Sequence, residues 1–198
     1  MSEAKIVLSD KELEMVNNRE WILTKQKIIQ QVYVLLESVV VDIDLFILAE
    51  WQTLCKQIAS PPRIFKGENY LGLPYVTLDH PRLFSTENTL TVRTMFWWGN
   101  FVSVTLHAGN AYKNHVINKL NLLNDRDGNL YLCIHESQWH HHFEPDNYTL
   151  LKNVSAEKFK EVSKRNFVKI AYKINLLQFN DLNTVLSKHY KMLAEIMA

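Results

Sequence analysis

Apolar positions in the first third of the chain follow a helical period. Ser9 and Glu12 have the spacing of a capping box, and from there to Ser60 no glycine or proline interrupts. One unbroken helix of that length would run about 75 Å at 1.5 Å per residue, too long for a compact fold of this size. The pattern therefore predicts two or three helices, with breaks near Asn17-Asn18 and between Ser38 and Asp42. Ile28, Val32, Leu35, Leu36, Val39 and Ile43 recur at spacings of three and four. That stripe is broader than a surface helix needs, so the helix either sits at the centre of the fold or meets a second copy of itself.

The pattern then changes. Pro61, Pro62, Pro74 and Pro81, with Gly67 and Gly72, exclude helix from residues 61 to 81. Phe65, Tyr70, Leu71, Leu73 and Tyr75 make the stretch too apolar for a linker, and we expect an ordered connection with a short strand at Tyr75 to Asp79. Thr91 to Trp98 and Phe101 to His107 are β-branched and aromatic, and the intervening Gly99-Asn100 suits a two-residue hairpin turn. That register would pair Trp98 with Phe101, Phe96 with Ser103, Thr94 with Thr105 and Val92 with His107. A helix is expected from about Ala111 to Leu123 and a strand from Leu130 to His135. A capped helix begins near Ser155, a strand spans Phe167 to Lys173, and a helix spans Asp181 to Met197. The elements specify one α+β domain over residues 1–198: an antiparallel sheet packed with long N-terminal helices, over residues 1–60, and a C-terminal helix.

Composition narrows the class without naming a chemistry. With 198 residues, 47% hydrophobic and 22% charged, the chain can close a core, which excludes a disordered tail, a collagen-like fibre and a disulfide-stapled miniprotein. The formal charge of +1 supplies no global field for nucleic acid or an anionic membrane. It is unevenly spread: residues 151–198 carry nine basic side chains against four acidic ones, residues 1–60 six against nine. Cys55 and Cys133 have the hydrophobic neighbours of buried free thiols. With no signal peptide at the start, we expect a cytoplasmic location. The apolar run Val32 to Leu48 holds Glu37, Asp42 and Asp44 and reads as a soluble helix rather than a membrane span.

Four groups of side chains are candidates for chemistry. Four of the eight histidines fall between His135 and His142. His140 and His142 would point the same way on an extended chain, where with His135 two or three imidazoles could hold Zn²⁺ or Fe²⁺, with Glu136 or Glu144 as ligand or general base. Against this, the segment is not an HExxH motif, and a polar loop explains the same letters. The second group, Asp125 to Glu136, has acidic or amide residues where an EF-hand loop binds Ca²⁺, but Leu130 stands where that loop needs glycine. A turn leading into a strand accounts for it better. The third is one face of the hairpin, where Thr94, Phe96, Trp98, Phe101, Ser103, Thr105 and His107 could line a small-ligand cavity or pack beneath helices. The fourth is a basic strip of Lys164, Arg165, Lys169 and Lys173. Without a recognised RNA- or DNA-binding motif it reads as a solvated face, and we do not expect nucleic acid as a partner.

No nucleophile elbow, P-loop or GxGxxG occurs. The expected function is non-catalytic: a module binding a small ligand or a protein partner, forming a homo-oligomer through its N-terminal helices. The competing expectation is a metal-dependent enzyme built on the His/Glu segment.

Overall fold

The computed structural model describes residues 6–49, 51, 60–85, 88–122 and 128–197. Cys55, and the Asp125 and Asp127 of the EF-hand-like segment, lie outside them.

The helix breaks fall where the polar and β-branched residues predicted. Helix α1 (Asp10–Asn17) starts on Ser9, which accepts the Glu12 amide while the Glu12 carboxylate takes the Ser9 N–H. It stops at Asn18, whose side chain caps α2 (Arg19–Ser38) through the Trp21 amide at 3.0 Å. After Val39 a short α3 (Val40–Ile43) widens into a π-helical turn, Asp44–Leu48. The other α-helices among the described residues are α4 (Lys113–Leu122), α5 (Ala156–Ser163) and α6 (Leu182–Met197). Among the described residues no helix is long and apolar enough to cross a membrane.

Seven strands make one antiparallel sheet: β1 (Arg63–Tyr70), β2 (Leu73–Phe84), β3 (Thr89–Trp97), β4 (Phe101–Gly109), β5 (Leu130–Cys133), β6 (Tyr148–Leu150) and β7 (Phe167–Asn175), in the order β1-β2-β3-β4-β7-β5-β6. The fold is α+β, with the tryptophan-bearing hairpin lying against helices from both ends of the chain. Ile29, Val32, Leu36, Val39, Ile43 and Ile47 from the N-terminal helices share one core with Leu182, Leu186, Tyr190 and Leu193 of α6 and with the strand residues Leu78, Val92, Val104 and Ile170.

The proline-rich connection turns out to be a second hairpin. Leu71 and Gly72 both adopt positive φ, 50° and 84°, between the paired Tyr70 and Leu73, as a tight two-residue turn requires. Asn69 accepts the Gly72 amide at 3.1 Å and supports that bend. The flanking prolines hide the hairpin from a reading of propensity because they sit at strand ends and at a bulge, where a missing N–H is tolerated.

The Trp-rich hairpin departs from the expected register by one residue. Its connection is three residues, Trp98-Gly99-Asn100, with Gly99 at φ 72°, so Trp97 pairs with Phe101, Met95 with Ser103, Arg93 with Thr105 and Thr91 with His107. The correction is consequential, because a one-residue slip moves every side chain of one strand to the other face. Thr94, Phe96 and Trp98 pack on the helical side, whereas Phe101, Ser103, Thr105 and His107 lie on the opposite side beside Met95 and Trp97. The seven residues do not line one cavity.

A second register shift matters as much. Between Asp79, which pairs with Arg93, and Arg82, which pairs with Thr91, β2 carries one extra residue. The bulge reverses the alternation. Leu78 and Leu83 pack toward the helices, while Asp79, Arg82 and Phe84 share the other face. His80, inside the bulge, donates from Nε2 to Asp44 of the π-helical turn at 2.6 Å and precedes a cis peptide bond to Pro81.

Candidate functional site

The side of the sheet away from the helices carries the polar chemistry. Most of it, over β3, β4 and β7, is covered by the loop of residues 134–147, and a strip over β1, β2 and β3 stays open.

The loop is held from beneath. Lys169 of β7 is 1% exposed and donates from Nζ to the carbonyls of Gln138 at 3.0 Å and His140 at 2.5 Å. Burial drives its pKa down to about 8. Asn147 closes the loop's end: its Nδ2 donates to the His142 carbonyl at 2.5 Å, its Oδ1 takes the Cys133 thiol at 3.4 Å, and its carbonyl takes the Ile134 amide at 2.8 Å. From β1, the Tyr70 hydroxyl accepts the amides of His141 and His142 at 2.7 and 3.1 Å. The Arg165 guanidinium reaches the carbonyls of Ile134 and His135 at 2.9 and 2.7 Å. The expected basic strip is therefore dispersed: Lys169 and Arg165 serve loop carbonyls, and Lys164 and Lys173 stay exposed.

A buried histidine, His107, and a half-buried one, His141, sit in this layer as neutral rings. His107 donates from Nε2 to the Gln138 amide oxygen at 2.9 Å, and burial, reinforced by the nearby Lys169 charge, pushes its pKa down to about 3. His141 is held well below the ordinary histidine range, first by burial and then by the charges of Lys169 and Arg93. Its Nε2 accepts from the Arg93 guanidinium at 3.0 Å. Arg93 also grips Asp79 through Nε–Oδ1 and Nη2–Oδ2 contacts of 2.7 Å each. Burial opposes the arginine's charge, but the paired carboxylate outweighs it and raises its pKa.

The three other histidines of the segment do meet. The His135 and His140 rings lie 4.1 Å apart at 35°, and those of His140 and His142 5.3 Å apart at 40°. The rings pack against one another at a tilt, whereas a metal is bound in the ring plane through nitrogen. His135 Nδ1 already accepts the Ser137 amide at 2.8 Å. Glu136 and Glu144 are exposed. Among the described residues no three His, Cys, Asp or Glu side chains are arranged to hold a metal ion. Of the EF-hand-like segment, Leu130–Cys133 is strand, and Tyr131 is paired on both sides, to Ala171 and Leu150.

Beside the loop lies a groove of about 380 Å³. Thr77, Asp79 and Arg93 line it, with Arg63, Arg82, Phe65 and Phe84 contributed by β1 and β2 and Trp139 leaning in from the loop. Among these side chains three are cationic and one is acidic. That acid, Asp79, is committed to Arg93, whereas Arg63 and Arg82 have no carboxylate partner among the described residues. The Arg82 Nε is sealed from solvent with no hydrogen-bond partner, a state that costs free energy. Phe65, Phe84 and Trp139 are 47, 40 and 55% exposed. The arrangement can accept an anion.

Of the residues singled out from sequence, Thr105 and His107 border this layer, while the groove's arginines escaped notice. Arg63 and Arg93 are 30 positions apart, with Arg82 between them, and the three share a face only through two strand pairings and the bulge.

No protein-family model matches this chain, and no curated protein or solved structure is similar to it.

Proposed function

We propose that the protein is a non-catalytic binding module whose groove over β1, β2 and β3 takes a small anionic ligand. The observation that carries this reading is the arginine trio: Arg63 and Arg82 without carboxylate partners among the described residues, and Arg93 anchored by Asp79 and His141. Guanidinium groups at a partly desolvated site bind carboxylate or phosphate in a bidentate manner. No side chain in the groove is placed as a nucleophile beside a base, since its acid is already engaged with arginine.

Titration calorimetry with inorganic phosphate, pyrophosphate and citrate tests the reading. Saturable binding that weakens at least tenfold in Arg82→Gln supports it. Heats no larger than dilution with all three anions would sink it.

The chain's assembly is read from the N-terminal arm. Residues 6–24 are exposed throughout, including Leu13, Val16, Trp21 and Leu23, and α1 buries nothing. A two-turn helix is marginal in water on its own. A homo-oligomer in which a second copy covers this arm gives it a partner, and the buried free thiol of Cys133 fits a reducing, cytoplasmic setting. Light scattering after size exclusion should give a dimer or larger species that Leu13→Asp with Trp21→Asp converts to monomer; a wild-type monomer at micromolar concentration removes the assembly.

A further inference from the structure

We infer that the anionic ligand proposed for the groove is a nucleotide, its phosphates on the arginines and its base on an aromatic side chain. The inference rests on the anion reading and narrows its ligand class.

Strand registers fix the order of side chains along the groove. Phe65 stands opposite Thr77. Next, Arg63, Asp79 and Arg93 form one row across three strands, then Arg82 stands opposite Thr91, and Phe84 opposite Thr89. Same-face rows are two residues apart, roughly 6.6 Å along a strand. The cations therefore occupy the middle and an aromatic ring stands at either end. Trp139 overhangs from the loop, its ring edge-on to His107 at 6.1 Å between centroids.

Each part of a nucleotide has a counterpart here. Phosphate oxygens accept paired N–H bonds from guanidinium, and Arg63 and Arg82 offer two cations to the charge of a diphosphate, while Arg93 is held by Asp79 and His141. The planar base stacks on an exposed aromatic face, which is how proteins hold bases without a sequence code. A small carboxylate or inorganic anion would use the middle of the groove and leave three exposed rings without a role. A volume of about 380 Å³ lies within the range of small-ligand clefts. Exposed lysines play no part: the cations are arginines, two of them partly buried beside a sealed Nε.

The test is calorimetry on the full chain with pyrophosphate, adenosine, adenosine diphosphate and a ten-nucleotide single strand. Adenosine diphosphate should bind at least tenfold more tightly than either pyrophosphate or adenosine. Phe65→Leu with Trp139→Leu should reduce its affinity to that of pyrophosphate and leave pyrophosphate binding unchanged, while Arg82→Gln weakens both. Circular dichroism checks that the variants remain folded. Equal affinity for pyrophosphate and adenosine diphosphate would overturn the nucleotide inference and keep the anion groove. Tight binding of the strand without measurable binding of the nucleotide would overturn it in favour of a polymer path. Failure of both pyrophosphate and nucleotide to bind would remove the underlying reading as well.

Discussion

Arg93 and Asp79, directly opposite on β3 and β2, meet through two parallel contacts of 2.7 Å, and the arginine's third nitrogen rests on His141. The pair thus ties the floor of the groove to the loop above it. Arg93→Met would leave a carboxylate with a mostly buried side chain uncompensated, and we expect a loss of about 3 kcal/mol in urea denaturation. The double variant with Asp79→Asn should lose clearly less, because the orphaned charge is gone. Equal losses for the single and double variants would mean that the ion pair does not set the energetics of this face.

Acid should loosen the same layer, with a definite sign. His107 is depressed to about 3 and His141 also lies below its ordinary value. Between pH 6.5 and 3 the unfolded chain binds protons there that the folded chain refuses, so stability is present above that window and lost as pH falls through it. At pH 5 the share of His107 alone is about 2 kcal/mol, at about 1.4 kcal/mol per pKa unit. Denaturation midpoints measured from pH 7 to 4 should fall steeply in the wild type and less steeply in His107→Gln. Parallel slopes would refute the assignment.

Lys169 acts at the other end of the pH scale. Its folded pKa, about 8 against an ordinary 10.5, means that the folded chain releases this proton first. Its contribution therefore makes stability rise with pH between those values. Lys169→Met should abolish that rise. It should also speed amide exchange at residues 138 to 142 at least tenfold, because two carbonyls lose their donor. Unchanged exchange would show that Asn147 and Tyr70 suffice to hold the loop.

The bulge in β2 is fastened from the helical side by the bond from His80 to Asp44. Asp44→Ala leaves a buried imidazole without its acceptor, for which we expect about 1–2 kcal/mol of destabilisation. Phosphate affinity should also fall, since Arg82 is displaced when the bulge relaxes. A variant destabilised but binding phosphate normally would separate the bulge from the groove.

Elements with a single dominant signal were legible in the sequence. Ser9 with Glu12, Asn17-Asn18 and the spacing from Leu182 to Ile196 located helices that local capping and one apolar stripe define. The β1–β2 hairpin was not, because Leu71-Gly72 is a weak turn signal and the flanking prolines argue against strands. The hairpin's facing failed for a different reason. Both of its sides are buried, one by helices and one by the 134–147 loop, so alternation of polarity does not choose between a two-residue and a three-residue turn. The histidine segment drew attention by density alone, yet its backbone carbonyls, which receive Lys169 and Arg165, matter more to the architecture than its rings. Arg63, Arg82 and Arg93 left no local trace, since only strand pairing brings them together.

The extra residue between Asp79 and Arg82 couples the lining of the proposed groove to folding in an economical way. Deleting one position there would rotate Arg82 and Phe84 through the sheet into the aliphatic interior and expel Leu83 to solvent. Downstream of that point the identity of the groove-facing letters depends on a phase in the chain rather than on the letters themselves. Insertions and deletions in this short segment are therefore the changes most able to rewrite the lining of the groove, or to erase it, while every helix keeps its sequence.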